Sequence, residues 1–183
     1  MCLYCRPGSD PKVATEDIVC WKVLKRNKYT LVPRTPYHLL YVTRDQIEGK
    51  KDFVPERPCD CFNHPSGGAV GEGFIHVHLD RNNPIDKLYL FNQLRAHLDK
   101  SNSIDKLYCF NKLSPDEDDE LLIYECVIPK GTVYYEGTDN GHEYARAAAA
   151  ERIRFVRQIN PSEKEQEEAH KYIVERIQET RCA

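Results

Sequence analysis

Apolar residues in the first part of the chain come in short dense runs broken by proline, glycine and charge, a spacing that suits strands better than helices. The run "DIVCWKVLK", Asp17 to Lys25, predicts a strand, and "YTLVP" at 29–33 and "YHLLYVT" at 37–43 predict two more, split by "RTP" because proline cannot donate to a central ladder. Residues 1–16 hold Pro, Gly, Ser and Asp without periodicity and read as a flexible arm, so the single domain is placed over 17–183. From Arg44 to Gly71 the pattern predicts a long loop, functional or inserted.

The stretch "GEGFIHVHLD", 71–80, alternates again. On a strand, Phe74, His76 and His78 share one face while Ile75, Val77 and Leu79 share the other. The histidine face is expected to be partly wet, with imidazoles titrating near neutral pH and with Gly71 and Gly73 admitting a ligand or loop close by. Next come "NPIDKLYLFNQL" at 83–94 and "NSIDKLYCFNKL" at 102–113, an internal tandem duplication identical at nine of twelve positions. Each copy sets its apolar residues on one helical face, with Asn83 or Asn102 as N-cap.

Beyond an acidic segment, "LLIYECVIPKGTVYY" predicts strands over 121–128 and 132–135, joined as a hairpin by Pro129, Lys130 and Gly131. The alanine-rich "EYARAAAA" suits a short helix, and "ERIRFVRQI" at 151–159 another strand that exposes Arg152, Arg154 and Arg157. A final helix starts with Asn160 as N-cap, Pro161 at the first position and Glu163 at N3, and carries the stripe Ala169, Tyr172, Ile173 and Ile177. The sum is an α+β fold: a small, twisted, mainly antiparallel sheet of about five to seven strands, packed by the C-terminal helix and the duplicated helical segment.

Composition narrows the function classes. With 26 Lys+Arg against 29 Asp+Glu in 183 residues, no global positive field gathers nucleic acid or anionic membrane. No apolar run reaches the roughly 20 residues that span a bilayer, and "MCLYCRPGSDPK" lacks the apolar region of a secretory signal, so a cytoplasmic location is expected. In that compartment the eight cysteines are thiols. Cys20 and Cys126 lie inside apolar runs, as small buried hydrophobes do.

The segments "EDIVCWKVL", "GEGFIHVHL", "LLIYECVIPKGTVYY" and "YARAAAAERIRFV", in this order, resemble a group of small proteins of gut Bacteroidetes and their phages and mobile elements, which begin "MCL" and share a glycine, aromatic and histidine strand with an ECxIPKGxxYY hairpin. The resemblance implies an accessory protein of a mobile element and brings no assigned reaction. The chain departs from that pattern in its duplicated 83–113 region and in the second histidine, His78. A fainter resemblance is to ADP-ribosyltransferase-like folds, which implies an NAD site with roles for His38 or His76, Tyr134 or Tyr135, and Glu143.

Cys59, Cys61 and His64 precede His76 and His78 closely enough to suggest zinc, although Cys-x-Cys is not the spacing of a zinc knuckle. "SGGAVGEG" lacks both the P-loop lysine and the dinucleotide glycine spacing, and no Ser/His/Asp elbow is visible. The expectation is a non-catalytic binding protein whose ligand site is His76, His78, Phe74, Tyr135 and Glu143, taking a host protein or a small ligand. No cofactor is expected, with NAD or zinc as the alternatives.

Overall fold

The computed structural model describes residues 3–4, 10–36, 40–55, 73–98, 119–139 and 145–182. In chain order these form β1 (Leu3–Tyr4), β2 (Lys12–Val13), β3 (Ile18–Asn27), β4 (Pro33–Arg34), α1 (Arg44–Ile47), β5 (Ile75–His78), α2 (Asn82–Leu98), β6 (Asp119–Ile128), β7 (Val133–Asp139), β8 (Arg146–Ala150), β9 (Arg154–Ile159) and α3 (Glu163–Cys182). The fold is α+β. The strands join in one nine-stranded sheet of order β1-β7-β8-β5-β3-β6-β9, with β2 also on β7 and β4 on β3, and each pairing is antiparallel. Two of the short strands fall within the 1–16 arm, where Leu3–Tyr4 and Lys12–Val13 pair with β7.

The spine is the long register between β3 and β6, which runs from Ile18 opposite Ile128 to Asn27 opposite Asp119. It places Cys20 directly across from Cys126, both fully buried, as their apolar surroundings imply. Burial pushes the Cys20 thiol up to about 12 and Cys126 well above its ordinary value, so neither is a ready nucleophile.

The expected hairpin at 129–131 is corrected. The turn exists: Gly131 has φ of 80° and the Thr132 N–H donates to the Pro129 carbonyl at 3.1 Å. The strands it joins part company, because β3 occupies one edge of β6 and β9 the other, leaving no edge for β7. β7 turns instead to β8 on one side and to β1 and β2 on the other. The expected alanine helix is likewise a strand, β8. Alanine's helix propensity is a weak prior, and here a central position between β5 and β7, buried on both faces, admits its small side chain.

One face of the sheet carries α2 and α3 over Val23, Leu121 and Ile123, with Phe91, Ile85 and Ala169 as the helical contributions. The other face buries Cys20, Leu24, Ile75, Val77, Ala148, Ala150, Ile153 and Phe155 with Val42 and Phe53. Phe53 thus brings part of the expected long loop into the core and bridges Ile153, while Ile47 of α1 packs half-buried against it. Of the strands expected at 29–33 and 37–43, only β4 and a bridge from Arg34 to Tyr41 form among the described residues.

Both helix starts are shifted from expectation. α3 is capped by Ser162, whose hydroxyl accepts from the Glu165 N–H while the Glu165 carboxylate accepts from the Ser162 N–H, a capping box two residues beyond the one anticipated. Ala169 and Ile173 are buried as the stripe requires, but Tyr172 is exposed. α2 contains the first copy of the duplication, and its leading Asn82 N–H is taken by the Asp80 carboxylate; Asn83 is not the cap and lies buried in the first turn. The second copy, 102–113, lies outside the described residues.

Candidate functional site

β5 positions the two histidines, and strand parity decides what they meet. His78 stands opposite Ala147 and Trp21, and His76 opposite Ala149. Across β8, Ala147 and Ala149 face Gly137 and Tyr135 of β7, so Tyr135, Gly137 and, two residues on, Asp139 share the histidine face. The alanines keep this stretch of sheet low between the side chains of β5 and those of β7. α2 lies over it.

Lys87 of α2 binds the Asp139 carboxylate and places its Nζ 3.5 Å from His78 Nε2. His76 Nε2 is 4.0 Å from the other oxygen of Asp139, too far for a hydrogen bond. The imidazoles of His76 and His78 meet edge to face with centroids 5.3 Å apart. Lys22, reaching in from β3, donates to the His76 carbonyl at 2.6 Å. At the near end of the strand Phe74 and Tyr135, both half-buried, form another edge-to-face pair at 5.3 Å.

The expected partly wet face is corrected at His78, which is 1% exposed, with Asp139 at 4% and Asn83 at 5%, while Phe74, His76 and Tyr135 on the same face are half-buried. Burial pushes His76 down to about 3, Asp139 opposing and Lys22 and Lys87 assisting, and it carries His78 well below the ordinary histidine value. Neither titrates near neutrality. Burial also acts to raise Asp139, but the charge on Lys87 and the neighbouring His76 hold its carboxyl below the ordinary value. Burial lowers Lys87 against the pull of Asp139.

Several of these buried atoms have no hydrogen-bond partner among the described residues: His76 Nε2, His78 Nδ1, Asp139 Oδ1, Asn83 Nδ2 and Trp21 Nε1. Such groups are rare because each forfeits its hydration. Behind them the helices are braced by His170 of α3, whose Nδ1 lies 2.7 Å from the Asp86 carboxylate and whose ring stacks on Tyr89 at 4.5 Å.

Of the anticipated site residues, His76, His78, Phe74 and Tyr135 come together on one face. Glu143, His38 and the zinc candidates Cys59, Cys61 and His64 lie outside the described residues. Tyr134, opposite Ala150, packs against the apolar core on the reverse face. Among the described residues no three His, Cys, Asp or Glu side chains are placed to hold a metal.

Lys87, Asp139, Asn83 and Trp21 were not anticipated. Parity within "YYEGTD" puts Asp139 with Tyr135, and the four-residue spacing puts Asn83 and Lys87 on one helical face. Neither signal names its partner across the fold. No helix among the described residues is long and apolar enough to cross a membrane. No family model, curated protein or solved structure matches the chain.

Proposed function

We propose that this chain is a non-catalytic binding protein that receives a small polar ligand on the histidine face of β5, acting as an accessory protein of a phage or mobile element. The observation that carries the binding reading is the set of buried polar atoms, without partners among the described residues, contributed by β3, β5, β7 and α2 around the Lys87–Asp139 pair. A ligand that met them would supply hydrogen bonds that the described residues do not. The mobile-element role rests on the resemblance of the quoted segments alone.

Binding is favoured over acid–base chemistry because a general base works best with a pKa near the working pH, whereas His76 is held near 3 and His78 well below its ordinary value. The alternative, an ADP-ribosyltransferase-like enzyme using NAD, draws support from Tyr135 sharing the His76 face. The test is a small-molecule library screened by histidine side-chain NMR on the intact chain. Ligands that shift the His76 and His78 signals, and lose that effect in a folded His76→Gln, His78→Gln variant, are the expected result. A library that leaves both rings unmoved ends the binding reading, and turnover of NAD would replace it with the enzymatic one.

A further inference from the structure

We propose that the ligand of this face is neutral and presents an amide edge, an acceptor oxygen beside an N–H donor, carried on a flat ring. The inference rests on the binding reading and narrows it. It begins at Lys87. An ammonium can only donate, so the nitrogen it approaches at 3.5 Å, His78 Nε2, is the acceptor and the ring proton is on Nδ1. His78 Nδ1–H is then a buried donor with no partner among the described residues. Asn83 adds an N–H one turn before Lys87 on the same helical face, and Trp21 adds its indole N–H from directly opposite His78.

Asp139 supplies the opposite sense. Its Oδ2 takes Lys87, while Oδ1, near His76, is an acceptor without a donor among the described residues. A carboxylate or phosphate would set its charge against Asp139 Oδ1 and offer it no hydrogen. An ammonium or amidinium would face three N–H donors with no lone pair to give them. Lys87 and Asp139 already answer each other's charge, so neither ion finds an uncompensated partner. A neutral amide edge satisfies both senses. The half-buried Phe74 and Tyr135 offer the adjoining ring its apolar contact.

Such an edge occurs in two chemical sources, a carboxamide on an aromatic ring and the cyclic lactam of a nucleobase. The intact chain is titrated with benzamide, benzoate, benzamidine and uracil while the His78 ring signals are followed. The three benzene derivatives share a ring and differ in charge and hydrogen-bonding sense. Saturable binding of benzamide or uracil, at least about tenfold tighter than benzoate and benzamidine and weakened in Asn83→Leu, is expected; the tighter of the two names the source. Benzoate or benzamidine binding as tightly overturns the amide edge and leaves the binding reading standing. No saturable shift with any of the four overturns the inference, whereas only a silent library overturns the reading beneath it.

Discussion

On one face of β5, Ile75 and Val77 stand among Leu24, Ala148, Ala150 and Ile153, hydrocarbon against hydrocarbon; on the other, His76 and His78 stand against Lys87 and Asp139. His78 is as fully buried as Ile75 and Val77, yet the energetics of the two faces differ. Apolar burial is favourable without any partner, at about 25 cal/mol per Å². Polar burial is unfavourable until every donor and acceptor is matched, and on the histidine face they are not matched among the described residues. The first face holds the fold together, and the second uses some of that stability to keep polar atoms poised away from water.

The sharpest way to break this comparison is to remove half of the buried ion pair. Asp139→Ala takes from the buried Lys87 ammonium the carboxylate it binds and is expected to lower unfolding free energy by about 3–5 kcal/mol, read from urea denaturation. Adding Lys87→Met to Asp139→Leu should recover much of that loss, since a matched apolar replacement leaves no stranded charge. A single-variant loss under about 1 kcal/mol would place the pair in solvent and dissolve the contrast between the faces.

Acid provides a second, somewhat smaller effect. Both histidines have folded pKa values depressed from 6.5, His76 to about 3. Below 6.5 the unfolded chain therefore binds protons that the folded chain refuses, so the contribution of these two histidines is level above that pH and falls as the pH drops through it towards the folded values. At roughly 1.4 kcal/mol per pH unit for each histidine, about 3 kcal/mol should be gone near pH 5.5. Denaturation curves of His76→Gln, His78→Gln should be flatter over this window. An equal acid loss in that variant would move the effect elsewhere.

A smaller test probes the apolar side. Gly49 has φ of 70°, and a Cβ there would lie 2.7 Å from the Phe155 carbonyl oxygen, whereas at Gly131, φ 80°, a Cβ would meet nothing within 4 Å. Gly131→Ala should show only the cost of left-handed backbone, about 1 kcal/mol, and Gly49→Ala distinctly more. Equal melting temperatures would mean that the segment bearing Gly49 yields easily, and that the apolar face is less tightly packed than the contacts suggest.

The recognisable parts of the fold were those whose cause is local. Strand parity in 74–79 decides which residues share a face whatever the strand packs on, so the grouping of Phe74, His76 and His78 follows from the pleat alone. The burial of Cys20 and Cys126 follows from apolar neighbours on the same strands, and the C-terminal helix from its period, although the cap fell to Ser162 because its hydroxyl reaches the Glu165 N–H.

Tertiary structure alone decided the rest, because each remaining outcome depends on which edge or face is occupied by a distant segment. β6 and β7 look like a hairpin until β3 and β9 take both edges of β6. Four alanines look helical until β5 and β7 enclose them. The histidine face looks wet until α2 lays Lys87 over it and β7 brings Asp139 to meet that lysine, two residues 52 positions apart in the chain. An imidazole's ionisation is set by what removes its water and by which charges stand near it, and pleat period determines neither.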